Sequence, residues 1–350
     1  MSASYESLDD ALDAVSGYGI ELQNGNSNHA PMVAEALCAM GRPDAVMPWL
    51  SRYRERMLPR PARNEPISHD DWQRALGKRD RFADWAIFFG SELQATPWRK
   101  ALDYWAGRLA PGFSATATHG VIRVGHAVRG LVAAETPTRL RELADALASW
   151  AATYRELPSS DLSTHRPMTA RDAITKVPII PPEQRRNLGN ITASFAMLDD
   201  LPEFAPVIGL IDVAGEIDQV VSELAEVFVR VFLANAHDRL TAIVFIHGVT
   251  SLAALGNITP EVSEATTRTM LRYAWQTGCA LYSCFGNERA LDQVISVQER
   301  EGSLVIADAI ANGDEHVIKF TEACVSRHAV DSSPAHYAAI DLARRMIPQR

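Results

Sequence analysis

The segment 136–154 constrains the fold most, because apolar residues recur in it at every third or fourth position without a break. This period of 3.6 residues predicts an amphipathic helix, and Thr136 followed by Pro137 suits its first turn. The apolar stripe consists of Leu140, Leu143, Ala144, Leu147, Trp150, Ala151 and Tyr154. Such a stripe has to be buried against other elements, so we interpret the segment as scaffold.

Other segments show the same period and are joined by tight turns, which favours an all-α fold. Aromatic residues between positions 79 and 109 also recur at helical spacing, a pattern that is far more often core than cofactor site. The run 241–255 is ambiguous between a strand and a buried helix, and its length favours a helix. The other predicted helices are 7–15, 31–40, 44–58, 79–94, 97–109, 119–129, 215–236, 260–284, 304–311, one that begins after Asp314, and 334–346.

The segment 158–206 differs in composition, because it holds seven of the 19 prolines of the chain. Proline excludes a long helix, so we predict an extended excursion with short helical pieces. A linker between domains is one interpretation, but the apolar residues of the segment favour a wrapped loop or a lid. The prediction is therefore a single all-α domain over residues 1–350, with 158–206 as that wrapped loop or lid.

Charge and composition exclude several classes of protein. The net charge of −9 and the pI near 5.6 argue against nucleic-acid binding and against attachment to anionic lipid. The acidic N-terminus lacks the features of a signal peptide, and apolar runs such as 241–246 are too short to span a bilayer. The four cysteines have neither zinc spacing nor the density of a disulfide scaffold. We therefore expect a cytoplasmic protein with free thiols, and no nucleic-acid or membrane partner.

Histidines are the candidates for chemistry. Five lie in or beside apolar segments, namely His29, His119, His126, His247 and His316. The other five lie in polar loops or at helix ends, namely His69, His165, His237, His328 and His336. Helical bundles build transition-metal sites from imidazoles that several helices contribute. The spacing alone is weak evidence for such a site, since no pair has the HxxxH or ExxH pattern.

Each buried histidine also has a structural interpretation. His29 stands at the start of a helix, where it could act as a cap. His119 and His126 are seven residues apart, nearly on one helix face, and could each satisfy a backbone carbonyl in the core. His247 falls in the middle of a buried helix and needs a partner, which is either a hydrogen-bond acceptor or a metal.

The segment 314–324 carries the most informative pair of polar residues. Asp314 suits an N-cap position, and His316 and Lys319 are three residues apart, so they share one helix face. The apolar residues around them predict a buried helix, and burying an unpaired ammonium is costly. From this segment alone, a surface ion pair of Lys319 with Glu315 or Glu322 is the favoured interpretation.

Several short motifs resemble the questin oxidase-like family, in the right order over about residues 20–330. They are Asn28-His29-Ala30-Pro31, His119-Gly120-Val121-Ile122-Arg123, Trp275, Ala280-Leu281-Tyr282 and His316-Val317-Ile318-Lys319. Each motif is short, and their order and spacing together make the resemblance specific.

The resemblance implies an all-α enzyme that opens a ring of an anthraquinone-type polyketide, with non-haem Fe(II) held by histidines and by a carboxylated lysine. Carried over by position, the iron ligands are His29, His119, His247, His316 and Lys319, the last carboxylated by CO2. His126 and Arg123 are predicted as further active-site residues outside the ligand set. The expected partners are an aromatic substrate and O2, with NADPH as an optional reductant and a homodimer left open.

Two alternatives remain at this point. One is a metal-free, NADPH-dependent oxidase of the Baeyer–Villiger type. The other is a non-catalytic helical binding protein whose histidines are structural. The sequence has no GxGxxG, GxxxxGK[ST] or GxSxG motif in a fitting context, so nucleotide-binding and serine-hydrolase chemistry have less support.

Overall fold

The computed structural model describes residues 4–160, 167–186, 188–287 and 301–349. Within these ranges the chain forms fifteen α-helices and one small two-stranded sheet, which confirms the all-α prediction. The helices are α1 (Leu8–Val15), α2 (Ala30–Ala39), α3 (Val46–Tyr53), α4 (Phe82–Ala95), α5 (Trp98–Leu109), α6 (His119–Ala133), α7 (Pro137–Ala152), α8 (Ala170–Ile174), α9 (Ile191–Ser194), α10 (Ile217–Asn235), α11 (Arg239–Ile258), α12 (Glu264–Phe285), α13 (Gly302–Asn312), α14 (Glu315–Asp331) and α15 (Pro334–Met346).

Side-chain caps define where several helices begin. The Thr136 hydroxyl accepts a hydrogen bond from the Arg139 amide at the start of α7. The Asp314 carboxylate accepts from the His316 amide at the start of α14, as predicted. Such caps satisfy amide groups that have no partner within the helix. The sequence signals were therefore sufficient for these boundaries.

The chain divides into two compact units. The first comprises Met1–Arg155 and Ala254–Ser263, and the second comprises Glu156–Ala253 and Glu264–Arg350. The last residues of α11 therefore belong to the first unit. The single domain expected over residues 1–350 stays a prediction.

In the first unit, α4 and α6 pack on α7, which is the scaffold helix that the periodicity indicated. The aromatic stripe of α4 and α5 is core, as predicted, except for Tyr104, which is exposed; Trp85, Phe89 and Trp105 are fully buried. The rings of Phe89 and Trp105 meet edge to face with centroids 5.3 Å apart, an arrangement that aromatic pairs prefer.

Two glycines allow α6 to approach its neighbours closely. A Cβ atom at Gly120 would lie 2.9 Å from the Trp150 backbone, and one at Gly125 would lie 2.5 Å from the Ala254 carbonyl oxygen. Glycine in a helix interior costs about 0.5–1 kcal/mol relative to alanine. Here the absence of a side chain permits contact between the helices at the backbone.

In the second unit, the proline-rich excursion is anchored on α12. The Trp275 indole donates to the Val207 carbonyl over 2.8 Å, and the Gln276 amide donates to the Pro158 carbonyl over 2.9 Å. Phe195 and Phe204 of the excursion are fully buried. Short α-helical and 3-10 pieces occur in the described part of the excursion, as predicted, and its role as a lid stays a prediction.

The predicted helix 44–58 is wrong in its second half. Helix α3 ends at Tyr53, and after a 3-10 turn the chain forms strand β2 (Met57–Pro59), which pairs antiparallel with β1 (Tyr18–Leu22). The sheet joins segments far apart in sequence, so local periodicity could not indicate it. The sequence of the segment 287–301 predicts an exposed connection, and most of this segment lies outside the described residues.

Contrary to the expectation that the apolar runs are too short to span a bilayer, one helix in the described part of the chain, Arg239–Glu261 with its final turn, is long and apolar enough to do so. However, 72% of its apolar window is buried inside the protein. That burial is typical of a core helix in a soluble protein.

His336 was grouped with the histidines of polar loops and helix ends, apart from those of apolar segments, and this grouping is wrong. It lies at the start of α15 as expected, yet it is fully buried, and neither ring nitrogen has a hydrogen-bond partner among the described residues. Burial lowers the pKa of His336 to about 4, against the attraction of Glu226 and Asp331.

We expect this histidine to make the protein sensitive to mild acid. The unfolded chain takes up a proton near pH 6.5 and the native chain only near pH 4, so stability falls as the pH drops through this window, by about 3 kcal/mol. Urea unfolding of a His336→Leu variant between pH 7 and 4 should lack this loss. An exposed-histidine control, His69→Leu, should keep the wild-type slope.

Candidate functional site

Two of the predicted ligands face each other in the first unit. His29 is the residue before α2 and His119 is the first residue of α6, and both are buried. Their Nε2 atoms are 3.0 Å apart. The His29 side chain makes no capping hydrogen bond, so the capping interpretation is wrong. Instead, its amide donates to the Tyr53 hydroxyl over 2.8 Å, and the preceding Asn28 is held by Gly19 and Ala30.

The His119 ring has its other nitrogen against a backbone oxygen. Its Nδ1 is 2.5 Å from the Thr116 carbonyl oxygen, and only the tautomer with a proton on Nδ1 can donate there. In the neutral ring, Nε2 is then the electron-pair donor. Two nitrogens each about 2.1 Å from one divalent metal, at a right angle, lie about 3 Å apart. The same separation is that of a hydrogen bond between the two rings, so the geometry fits both that hydrogen bond and two neighbouring ligands of one ion.

His126 lies two turns further along α6 and contacts a different residue of α2. Its Nδ1 is 2.5 Å from Glu35, which also accepts hydrogen bonds from Arg129 and from the Tyr5 hydroxyl. Burial would raise the pKa of Glu35, but the charges and hydrogen bonds of Arg129 and His126 outweigh it and hold the pKa at about 2. His126 thus faces an ionised carboxylate rather than the His29–His119 pair.

Arg123 is committed to an ion pair with α7. It makes two hydrogen bonds of 2.6 and 2.8 Å with Glu142, and both side chains are buried. Arg123 and His119 also line a small cavity of about 10 Å³, which is close to the minimum that can hold one water molecule. The bidentate pair fixes the rotation of α6 against α7.

In the second unit, the Nδ1 atoms of His247 and His316 each contact an oxygen atom, as the Nδ1 of His119 does. The His247 Nδ1 is 2.6 Å from the Ile243 carbonyl oxygen one turn earlier in α11, and the His316 Nδ1 is 3.0 Å from the Asp314 carboxylate. Their ring centroids are 5.8 Å apart. Both rings therefore favour the tautomer in which Nε2 is the electron-pair donor.

Lys319 belongs to the same group and is only 2% exposed, so the surface interpretation is wrong. Burial lowers the pKa of Lys319 to about 7, against the attraction of Glu315 and Asp314. Burial together with the charges of His316 and Lys319 lowers the pKa of His247 to about 3. His247 is therefore neutral at pH 7, which is the state that binds metal.

The family model described as Questin oxidase-like matches residues 26–324, which include every predicted ligand. The chain belongs to the questin oxidase-like family. This confirms the resemblance of the sequence motifs and implies an oxidative enzyme. No curated protein matches the chain.

The predicted site residues of this questin oxidase-like protein fall into two groups, one in each unit. His29 and His119 form the first, and His247, His316 and Lys319 form the second. Among the described residues, no three His, Cys, Asp or Glu side chains form a metal-binding group. Each histidine pair would thus need a further ligand, such as water, substrate or a modified lysine.

The oxygen atoms that orient the histidines were not predicted from the sequence. Two are backbone carbonyls, of Thr116 and Ile243, which leave no trace in a sequence. Glu35 did leave a signal, because it is a single acid within the apolar helix α2. Asp314 was predicted as a cap, and its second contact, with the His316 ring, was not.

Glu35 gives the questin oxidase-like protein a second acid-sensitive contact. The carboxylate stays ionised down to about pH 2 in the native state, against a usual pKa of 4.5. Its stabilising effect is fully present above pH 4.5 and is lost as the pH falls to 2, by about 3 kcal/mol. Urea unfolding at successive pH values should show this loss in the wild type and not in Glu35→Gln. An exposed control, Glu203→Gln, should leave the slope unchanged.

Proposed function

We propose that this chain is a cytoplasmic, non-haem iron oxygenase acting on an aromatic polyketide of the anthraquinone or hydroquinone type. We further propose His29, His119, His247, His316 and carboxylated Lys319 as the iron ligands. The family supports oxidation of a polyketide, and the iron, the ring cleavage and the ligand set are the parts that we add.

The observation that carries the proposal is the shared orientation of the imidazoles. The Nδ1 atoms of His119, His247 and His316 each lie within 3.0 Å of an oxygen. Metal-ligating histidines almost always donate their second N–H to a carboxylate, carbonyl or water. The three rings therefore favour the same tautomer, with the proton on Nδ1 and the lone pair on Nε2, and this shared tautomer supports a common role for Nε2.

Lys319 supports an anionic ligand. Neutral imidazoles leave the full charge on a buried iron, so an anion is favourable in the set. The amine must be neutral to react with CO2, and the reaction forms an N–C bond and releases one proton. With a pKa of about 7, about half of the amine is neutral at pH 7, whereas an ordinary lysine is almost fully protonated.

Bound iron would supply the activation of O2 beside an electron-rich ring, for oxygen insertion and cleavage of a ring C–C bond. The chain's own residues would bind the iron. Asp314 and the carbonyls of Thr116 and Ile243 hold the imidazole rings in the orientation that this needs. The contacts of His126 and Arg123 support a role in fixing α6 rather than contact with iron. Their direct part in catalysis stays a prediction.

The test is iron binding by protein purified without a histidine tag and loaded anaerobically with Fe(II). We expect His119→Ala, from the first unit, and His247→Ala, from the second, each to abolish most of the bound iron. His69→Ala, an exposed histidine outside the set, should bind as the wild type does.

The stoichiometry separates the alternatives. If each variant loses only half of the iron, the two groups bind separate ions and the common ligand set is wrong. If the wild type binds no iron, the oxygenase proposal fails. NADPH consumption with an anthraquinone substrate would then favour the metal-free oxidase, and its absence a binding protein.

A further inference from the structure

Three consecutive residues before α6 have a left-handed backbone although none is glycine. The φ angles of Thr116, Ala117 and Thr118 are 46°, 52° and 73°, and the only other such residue in the described ranges is Ser332. For an L-residue this conformation costs roughly 1–2 kcal/mol, and for a β-branched threonine it is an outlier. Three in succession is a large local cost.

The left-handed backbone forms a tight turn that ends on His119. The His119 amide donates to the Thr116 carbonyl over 3.3 Å, so Ala117 and Thr118 are the two central residues. Positive φ at both central positions is the requirement of a type I′ turn, which normally selects Asn-Gly. The same Thr116 carbonyl accepts from the His119 Nδ1. The turn is what brings this oxygen in front of the ring.

The end of α7 holds the turn in place. The Thr116 and Thr153 hydroxyls are 3.2 Å apart, and the Ser114 hydroxyl donates to the Arg155 carbonyl over 2.8 Å. The Trp150 indole donates to the Gly112 carbonyl over 2.9 Å. A strained conformation persists only where its surroundings over-determine it. Here the first contact fixes Thr116 itself, and the other two fix the chain that leads into the turn.

We propose that the turn 116–118 is a positioning device for His119. It holds the Thr116 carbonyl against Nδ1 and thereby selects the tautomer that presents Nε2 toward His29. The positioning of His119 follows from the geometry of the turn alone. Its role in binding iron rests on the proposed function. Loss of such an orienting contact typically weakens metal binding by about 10–100-fold.

Substitutions at Ala117 change the backbone preference, and the same substitutions at another buried alanine control for the change in side-chain volume. Glycine adopts positive φ at no steric cost, so Ala117→Gly should unfold at the same or a higher temperature than the wild type. Valine opposes positive φ, so Ala117→Val should be less stable. The matched controls are Ala127→Gly and Ala127→Val, because Ala127 is a buried alanine of α6 in a helical conformation. Both controls should be destabilised.

The deciding readout is the tautomer of His119 in the iron-free protein, measured by ¹⁵N NMR of the labelled imidazoles. We expect a proton on Nδ1 in the wild type and in Ala117→Gly. In Ala117→Val we expect a mixture of tautomers and an Fe(II) Kd about tenfold higher. The Ala127→Val control should keep the wild-type tautomer and Kd.

A second variant covers the case in which Ala117→Val does not fold. Thr153→Val keeps the shape of the side chain but removes the hydroxyl that contacts Thr116, and it should give the same mixture of tautomers. An unchanged tautomer in a folded Ala117→Val or Thr153→Val protein would overturn the inference, as would an Fe(II) Kd no higher than that of Ala127→Val. If neither the wild type nor any variant binds iron but the tautomer follows the turn, the proposed function fails and the positioning role stands.

Discussion

Replacing Lys319 by methionine is expected to stabilise the iron-free protein and to remove most of its capacity to bind iron. The lysine is buried, and its pKa falls from 10.5 to about 7. The buried lysine therefore lowers the free energy of unfolding, and this unfavourable contribution is fully present below pH 7 and disappears as the pH rises to 10.5. At pH 7 it amounts to about 4 kcal/mol, and methionine, of similar shape, does not carry it.

The measurement is urea unfolding of the iron-free proteins between pH 7 and 10, together with iron analysis and ¹³C NMR after addition of labelled bicarbonate. The wild type should gain stability with rising pH, relative to Lys319→Met, and show a carbamate carbon that the variant lacks. Bound iron should fall at least about tenfold in the variant. Lys100→Met, at an exposed position of α5, should change none of these. Iron binding that survives in Lys319→Met would remove Lys319 from the ligand set.

The second large effect is expected at the ion pair between α6 and α7. Arg123→Met leaves the Glu142 carboxylate buried without its bidentate partner. Breaking a buried pair in this way costs about 3–5 kcal/mol, which a urea unfolding curve measures directly. The double variant Arg123→Met/Glu142→Met should recover most of the lost stability, because an apolar pair of similar volume can replace a buried ion pair.

The same double variant separates a structural from a catalytic Arg123. If Arg123 only fixes α6, the double variant should bind iron and turn over substrate at nearly the wild-type rate. A stable double variant that binds iron but has lost activity would instead support the predicted catalytic role. Asp145 stays paired with Arg60 in both variants, so it adds no second unpaired charge.

Local signals were enough to predict most of the fold. Helix α15 begins at Pro334 and ends at Met346 as predicted, because the proline and the 3.6-residue period act within the segment itself. The β1–β2 pair was missed because its register joins Leu22 to Met57, across residues that carry no common pattern. A buried His336 was missed for the same reason, since burial depends on what packs over it.

The candidate site was predictable to the level of residue types and no further. His119 and His126 were expected on one face of a helix, and both do face α2, but one meets His29 and the other meets Glu35. The burial of Lys319 reversed the interpretation that its own segment favoured. Whether an imidazole satisfies a carbonyl or presents its other nitrogen to a metal depends on orientation, which backbone atoms set.

The two close approaches along α6 restrict how relatives of this protein can diverge. Any side chain at position 120 would collide with Trp150, and any at position 125 with Ala254. Divergence toward new substrates can alter residues that line a pocket, but these two positions touch only backbone and core. We therefore expect both glycines in every homologue that keeps this helix pairing, irrespective of what it oxidises, and their loss would mark lineages in which α6 has been repacked.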